Sequence, residues 1–176
     1  RANIKEPSLL VGKLFDRHGR NMSPSHAVKN GRRYRYYVIH ATTLTSNSPP
    51  CERVPASEVE RRVVGQLLAL LRDRHALSAL VTPDALDAAL LQALVAKRLA
   101  SLAGRCTDIP KLTARVSLDS DTLEVLLDHD GLVPLLCLEG VLVATLPAFT
   151  ASVVKVRAGK DVPLILGTPG VEPRDD

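Results

Sequence analysis

Aromatic residues are almost missing from this chain: two Phe, three Tyr and no Trp among 176 residues. Its core must therefore be aliphatic, built from Leu, Val, Ile and Ala. Hydrophobic residues still make up 45% of the chain, which is enough for a real core and excludes wholesale disorder. The length suits one ordinary domain, or a small module plus a modest one. Long apolar runs are also missing. The longest candidate, Leu132 to Leu146, is broken by Pro134, Glu139 and Gly140, and falls short of the ~18 residues that a membrane span needs. No membrane partner is expected. Cysteine is scarce too. Cys51, Cys106 and Cys137 are odd in number and form no Cys-x-x-Cys pair, which argues against a disulfide framework and a zinc ribbon. A reducing cytoplasm is the expected location. Arg1 to Pro7 are polar and charged, unlike a signal peptide. The chain starts without Met and runs straight into a folded-looking segment, as a piece of a longer protein would.

What is present is unevenly spread. The net charge of +4 hides ten Lys/Arg against three Asp/Glu in residues 1 to 53, and thirteen against sixteen in the remainder. Four of the five Phe and Tyr also lie in the first part. A basic, Tyr-bearing head on a mildly acidic body points to a polyanion-contacting surface attached to a scaffold.

The pattern along the chain predicts an α+β fold in three stretches. In residues 1–50, Ser8 to Phe15 reads as a short strand and Asp16 to Asn21 as a polar turn. Ser25 to Lys29 and Arg32 to His40 read as two strands joined by Asn30-Gly31, a strong hairpin signal because a type I′ turn needs positive φ at both positions. Alternation places Arg33, Arg35 and Tyr37 on one face of the second strand, and Tyr34, Tyr36 and Val38 on the other. Ala41 to Arg53, with Pro49-Pro50, is the best internal boundary. Residues 51–107 read as an antiparallel helix pair. The first helix runs from about Pro55 to Arg74, with Val59, Val63, Leu67, Leu70 and Leu71 as its stripe and Glu58 and Glu60 suited to its positive end. The second runs from about Pro83 to Ala103, capped by Thr82, stopped by Gly104 and striped by Leu86, Leu90, Leu94 and Leu102. In residues 108–176 the period changes to two. Turn residues then separate strands at Leu112 to Leu118, Leu123 to Asp128, Leu135 to Leu138, Val141 to Leu146, Ala151 to Arg157 and Val162 to Leu166. This predicts an antiparallel meander with a fraying tail, Thr168 to Asp176.

Few residues invite a chemical role. His18, His26, His40 and Cys51 are separated by eight, fourteen and eleven positions, which match no compact metal-ligand spacing. Asp119, Asp121, Asp128 and Asp130 sit in two turns, where Asp is favoured for Asx turns, and lack the Gly and terminal Glu of a calcium loop. Ser117 lies in an alternating strand with no His or Lys nearby to activate it. Walker, Gly-x-Ser-x-Gly, His-Glu-x-x-His and Gly-x-Gly-x-x-Gly motifs are all missing. No catalytic residue, metal, cofactor or small-molecule substrate is expected. The basic hairpin remains. Lys29, Arg32, Arg33 and Arg35 fall within seven residues beside three Tyr, a set suited to tracking phosphates. The competing account is an edge strand kept soluble by its charges.

The stretch Leu9-Leu10-Val11-Gly12-Lys13-Leu14-Phe15, then Gly19-Arg20-Asn21-Met22-Ser23 and Gly31-Arg32-Arg33-Tyr34-Arg35-Tyr36-Tyr37-Val38, resembles bacterial serine recombinases of the DNA-invertase and large-integrase type. Arg53-Val54-Pro55-Ala56 with Glu58 and Glu60 resembles the helix start that follows in that family, and Val154 to Leu166 is a weaker echo. The likeness covers roughly residues 8 to 71. It implies the non-catalytic C-terminal region of a recombinase whose nucleophilic Ser lies in a separate domain. Where the family often carries a zinc-ribbon Cys pair, this chain has Asp16-Arg17-His18. The resulting expectation is double-stranded DNA bound at a recombination site by Lys29, Arg32, Arg33, Arg35 and Tyr37, with Tyr34 and Tyr36 packed beneath. The alternative is a module that assembles recombinase subunits through the Leu86 to Leu102 helix.

Overall fold

The computed structural model describes residues 8–39, 53–81, 88–102, 109–119, 122–136, 146, 148–152, 154–156 and 165–167. In chain order the elements are β1 (Leu14–Asp16), β2 (Ser23–Lys29), β3 (Arg32–Val38), β4 (Val54–Pro55), α1 (Ala56–Arg72), α2 (Arg74–Ser78) and α3 (Ala88–Leu102). A 3₁₀ turn (Ile109–Leu112), β5 (Thr113–Leu118), β6 (Thr122–Leu127), α4 (His129–Leu136), β7 (Ala148–Ser152), β8 (Val154–Val156) and β9 (Ile165–Gly167) follow. The class is α+β, as the sequence pattern predicts.

The first strand is shorter than expected. Gly12 adopts φ +73°, and the Lys13 amide donates to the Leu10 carbonyl at 3.1 Å. Residues 9–13 are therefore a turn, and only Leu14–Asp16 is extended. Beyond it, β2 and β3 form the expected antiparallel hairpin in register from Ser23↔Val38 to Lys29↔Arg32. Asn30 at φ 51° and Gly31 at φ 71° supply the turn. β4 pairs with the other edge of β3.

Helix α1 buries Val59, Val63, Leu67, Leu70 and Leu71, the stripe expected of it. Asp73 closes it and opens the next, its carboxylate accepting from the amides of His75 and Ala76. The expected connection thus contains the short helix α2. In α3 the inward stripe is one position out of phase with the expected one. Leu91 and Val95 are buried, Leu94 is half-buried and Leu90 is 51% exposed. Thr82, Leu86 and Gly104 lie outside the described residues, as do residues 40–52, 137–145 and the tail.

The final stretch departs furthest from expectation. Residues 129–136 are helical, where a turn and the start of a strand were expected. Asp128 accepts from the Asp130 amide at 3.0 Å, so its Asx turn acts as a helix cap. Gly131 fits this packing because a Cβ there would stand 2.5 Å from the Lys111 carbonyl oxygen. The sheet is mixed rather than an antiparallel meander. Its order is β1-β5-β6-β7, and β1 runs parallel to β5 with Leu14 opposite Val116. Parallel pairing reaches back about a hundred residues, which no local pattern announces.

That pairing ties the first stretch to the last. The Val116 amide donates to the Lys13 carbonyl at 2.8 Å. The Lys13 ammonium donates to the carbonyls of Thr113 at 2.6 Å and Pro110 at 3.2 Å. One buried cluster includes Leu10, Leu14, Met22 and Tyr37, then Val59, Val63 and Leu67 of α1, Leu91 and Val95 of α3, and Val116, Leu123 and Val125 of the mixed sheet. The three stretches share this core. No helix among the described residues is long and apolar enough to cross a membrane.

Candidate nucleic-acid interface

The β2–β3 ribbon carries every residue expected to contact DNA. Cross-strand partners share a face, so the register assigns the faces. Val28, Arg33, His26, Arg35, Pro24 and Tyr37 occupy one. Lys29, Arg32, Ala27, Tyr34, Ser25 and Tyr36 occupy the other. The alternation of β3 is as expected, but its two faces are turned the opposite way.

Tyr37 is fully buried and is thereby removed from the DNA-contact set. Its hydroxyl donates to Glu60 Oε1 at 2.8 Å and accepts from the Leu10 amide at 2.9 Å. Burial first, and the adjacent Glu60 carboxylate in addition, push the phenol above its usual value, outweighing the Leu10 amide and Arg35. Arg35 points the same way. Its guanidinium reaches Glu60 Oε1 at 3.3 Å and Oε2 at 3.2 Å, and Ser8 Oγ at 3.4 Å. Glu60, only 6% exposed, also accepts from the Leu9 amide at 2.9 Å. A buried carboxylate needs such partners, and it draws Arg35 and Tyr37 against α1. Sequence reasoning assigned Glu60 to the helix dipole. The missed signal is its position: Glu60 lies three before Val63 and seven before Leu67, on the apolar stripe itself.

Lys29, Arg32 and Arg33 remain exposed at the tip. Lys29 stands directly opposite Arg32, and Arg33 opposite Val28, which is 70% exposed. Among the described residues, no carboxylate pairs with any of these three cations. Like charges directly opposite in a ribbon destabilise it, so the pair is not a stabilising device of the hairpin.

On the outward face Tyr34 is 39% exposed. Arg53 lays its guanidinium over the Tyr36 ring, 3.7 Å from the centroid. Arg53, at the end of the expected linker, is a site residue that sequence reasoning did not find. No sequence pattern signals it, because β4 must first bring it beside β3.

The turn before the ribbon is held by Asp16. One carboxylate oxygen accepts from the amides of His18 at 3.0 Å and Arg20 at 2.8 Å. The other meets the Arg20 guanidinium at 2.6 and 2.8 Å. Burial raises the Asp16 carboxyl, but the Arg20 side chain and the two amides outweigh it and hold the group below its usual value. Among the described residues, no group of three or more His, Cys, Asp or Glu is placed to hold a metal ion.

A concavity of about 460 Å³ opens on the mixed sheet between Asp16, Arg17, Arg115, Ser117, Glu124 and Thr150. Its described lining contains no His or Lys beside Ser117, and Arg115 is stacked on Phe15 at 3.9 Å. Comparisons of the chain with known protein families, with curated proteins and with solved structures find no match.

Proposed function

We propose that this chain binds DNA through the tip of the β2–β3 ribbon, with Lys29, Arg32 and Arg33 contacting phosphates of a duplex. The observation that carries the reading is the Lys29–Arg32 rung. It places two cations opposite one another, beside a third, with no described carboxylate to neutralise them. An extended ribbon of this kind fits a major groove or follows a backbone. The recombinase context, in which the DNA is a recombination site and the catalytic serine lies elsewhere, is carried by the motif resemblance over residues 8 to 71. Arg35 and Tyr37 serve here as the anchor of the ribbon rather than as its contacts.

The test is fluorescence anisotropy with duplex DNA, titrated with salt. The expected slope is about 0.9 in log K per phosphate contacted. Alanine at Lys29, Arg32 and Arg33 together should remove up to about three such units. Equal affinity and slope in wild type and triple variant would dismiss the ribbon as the contact surface.

A second reading, assembly of protein subunits, is favoured by one observation: Leu90 of α3 is 51% exposed on a helix otherwise rich in Leu and Ala.

A further inference from the structure

We propose that the outward face of the ribbon is a stacking surface for unpaired bases, so that the chain holds single-stranded DNA in preference to duplex. This rests on the reading that the ribbon binds DNA and names the form of DNA that the same site selects.

Two platforms lie side by side on that face. One is the Tyr34 ring, 39% exposed. The other is the Arg53 guanidinium, seated 3.7 Å over Tyr36. A guanidinium plane accepts a stacked base as an aromatic ring does. Tyr34 and Tyr36 lie two residues apart on one strand, a separation of about 6.8 Å. Successive bases in one strand of a duplex are only about 3.4 Å apart, and their faces are already covered by one another. An exposed ring and an exposed guanidinium plane can be covered only by bases that do not already cover one another, as in an unpaired strand.

On the β2 side little stands over this face; the Tyr34 ring is exposed there, whereas the Tyr36 ring is covered by Arg53. Opposite Tyr34 is Ala27 and opposite Tyr36 is Ser25, both too short to wall off a flat ligand. The charge fits the same occupant. Lys29 and Arg32 continue this face toward the tip, where they can hold the phosphates between stacked bases. Neither β2 nor β3 contains a carboxylate. Rings interleaved with cations, and no opposing charge on either strand, favour a polyanion with flat apolar faces over an acidic peptide.

The experiment compares a labelled pyrimidine strand of about a dozen nucleotides with a duplex of the same length at one salt concentration. The single strand should bind about tenfold tighter or more. Tyr34→Ala should weaken it about 5- to 150-fold while leaving duplex affinity little changed, and Tyr34→Phe should stay within about twofold of wild type. Wild-type tyrosine emission gives a readout that needs no variant. With no Trp to mask it, the strand should quench it and the duplex should not. Duplex bound as tightly as single strand, or unchanged single-strand affinity in a folded Tyr34→Ala, would overturn the stacking surface and leave the phosphate-contact reading standing. A matching RNA strand bound more tightly than DNA would overturn the assignment to DNA. No binding of either form at low salt would sink both readings together.

Discussion

Glu60 ties the ribbon to α1. It takes the hydroxyl of Tyr37, the guanidinium of Arg35 and the amide of Leu9 at one buried point of α1. Removing the hydroxyl alone tests this. Tyr37→Phe leaves the ring in place but strips one donor from a buried carboxylate and one acceptor from the Leu10 amide, at a cost of about 1–3 kcal/mol. The same residue sets an alkaline limit. Its folded-state value is raised above 10.0, chiefly by burial and then by Glu60. The stability it contributes is therefore fully present below pH 10 and is lost as the pH rises through the raised value. Urea midpoints measured from about pH 8 to about pH 11 should fall for wild type above pH 10 and fall less for Tyr37→Phe. Parallel curves would show that another group sets the limit.

At the scale of elements, the hairpin and α1 were legible because their signals are local. Asn30-Gly31 specifies its own turn, and Val59, Val63, Leu67, Leu70 and Leu71 repeat with the helical period. The parity of β3 was legible as well, but not which face turns inward, since that depends on a carboxylate twenty-five residues later in the chain. Residues 129–136 misled because a short apolar run fits a strand or a helix equally, and the Asp128 cap decides between them. In α3, evenly spread Leu and Ala make the phase ambiguous, and the structure buries Leu91 and Val95 rather than the expected Leu90. Leu90→Glu should therefore leave thermal stability within about 0.5 kcal/mol of wild type, as exposed substitutions do. If α3 joins subunits, sedimentation should show concentration-dependent association in wild type and none in the variant. Identical profiles would remove α3 as an interface.

At the scale of the whole molecule, the expected divisions after residues 50 and 107 follow composition, whereas the hydrogen bonding and the core cross them. β1 completes a sheet whose other strands lie beyond residue 112, and Leu14 shares its buried cluster with Val116 and Leu123. A fragment ending at residue 107 should consequently lack a cooperative thermal transition, because Leu10 and Leu14 lose the strand they pack against. Circular dichroism of the fragment decides this, and a sharp transition near that of the full chain would show that the first two stretches fold by themselves.

The Lys13 ammonium reaches a carbonyl a hundred positions further along the chain, and this has a consequence for biosynthesis. At about 5–20 residues per second, a ribosome needs roughly 5–20 s to supply the Thr113 carbonyl after Lys13 has been made. Until then β1 has no strand beside it, because its partner β5 begins at Thr113. The β2–β3 ribbon would be synthesised early but reach its final seat late.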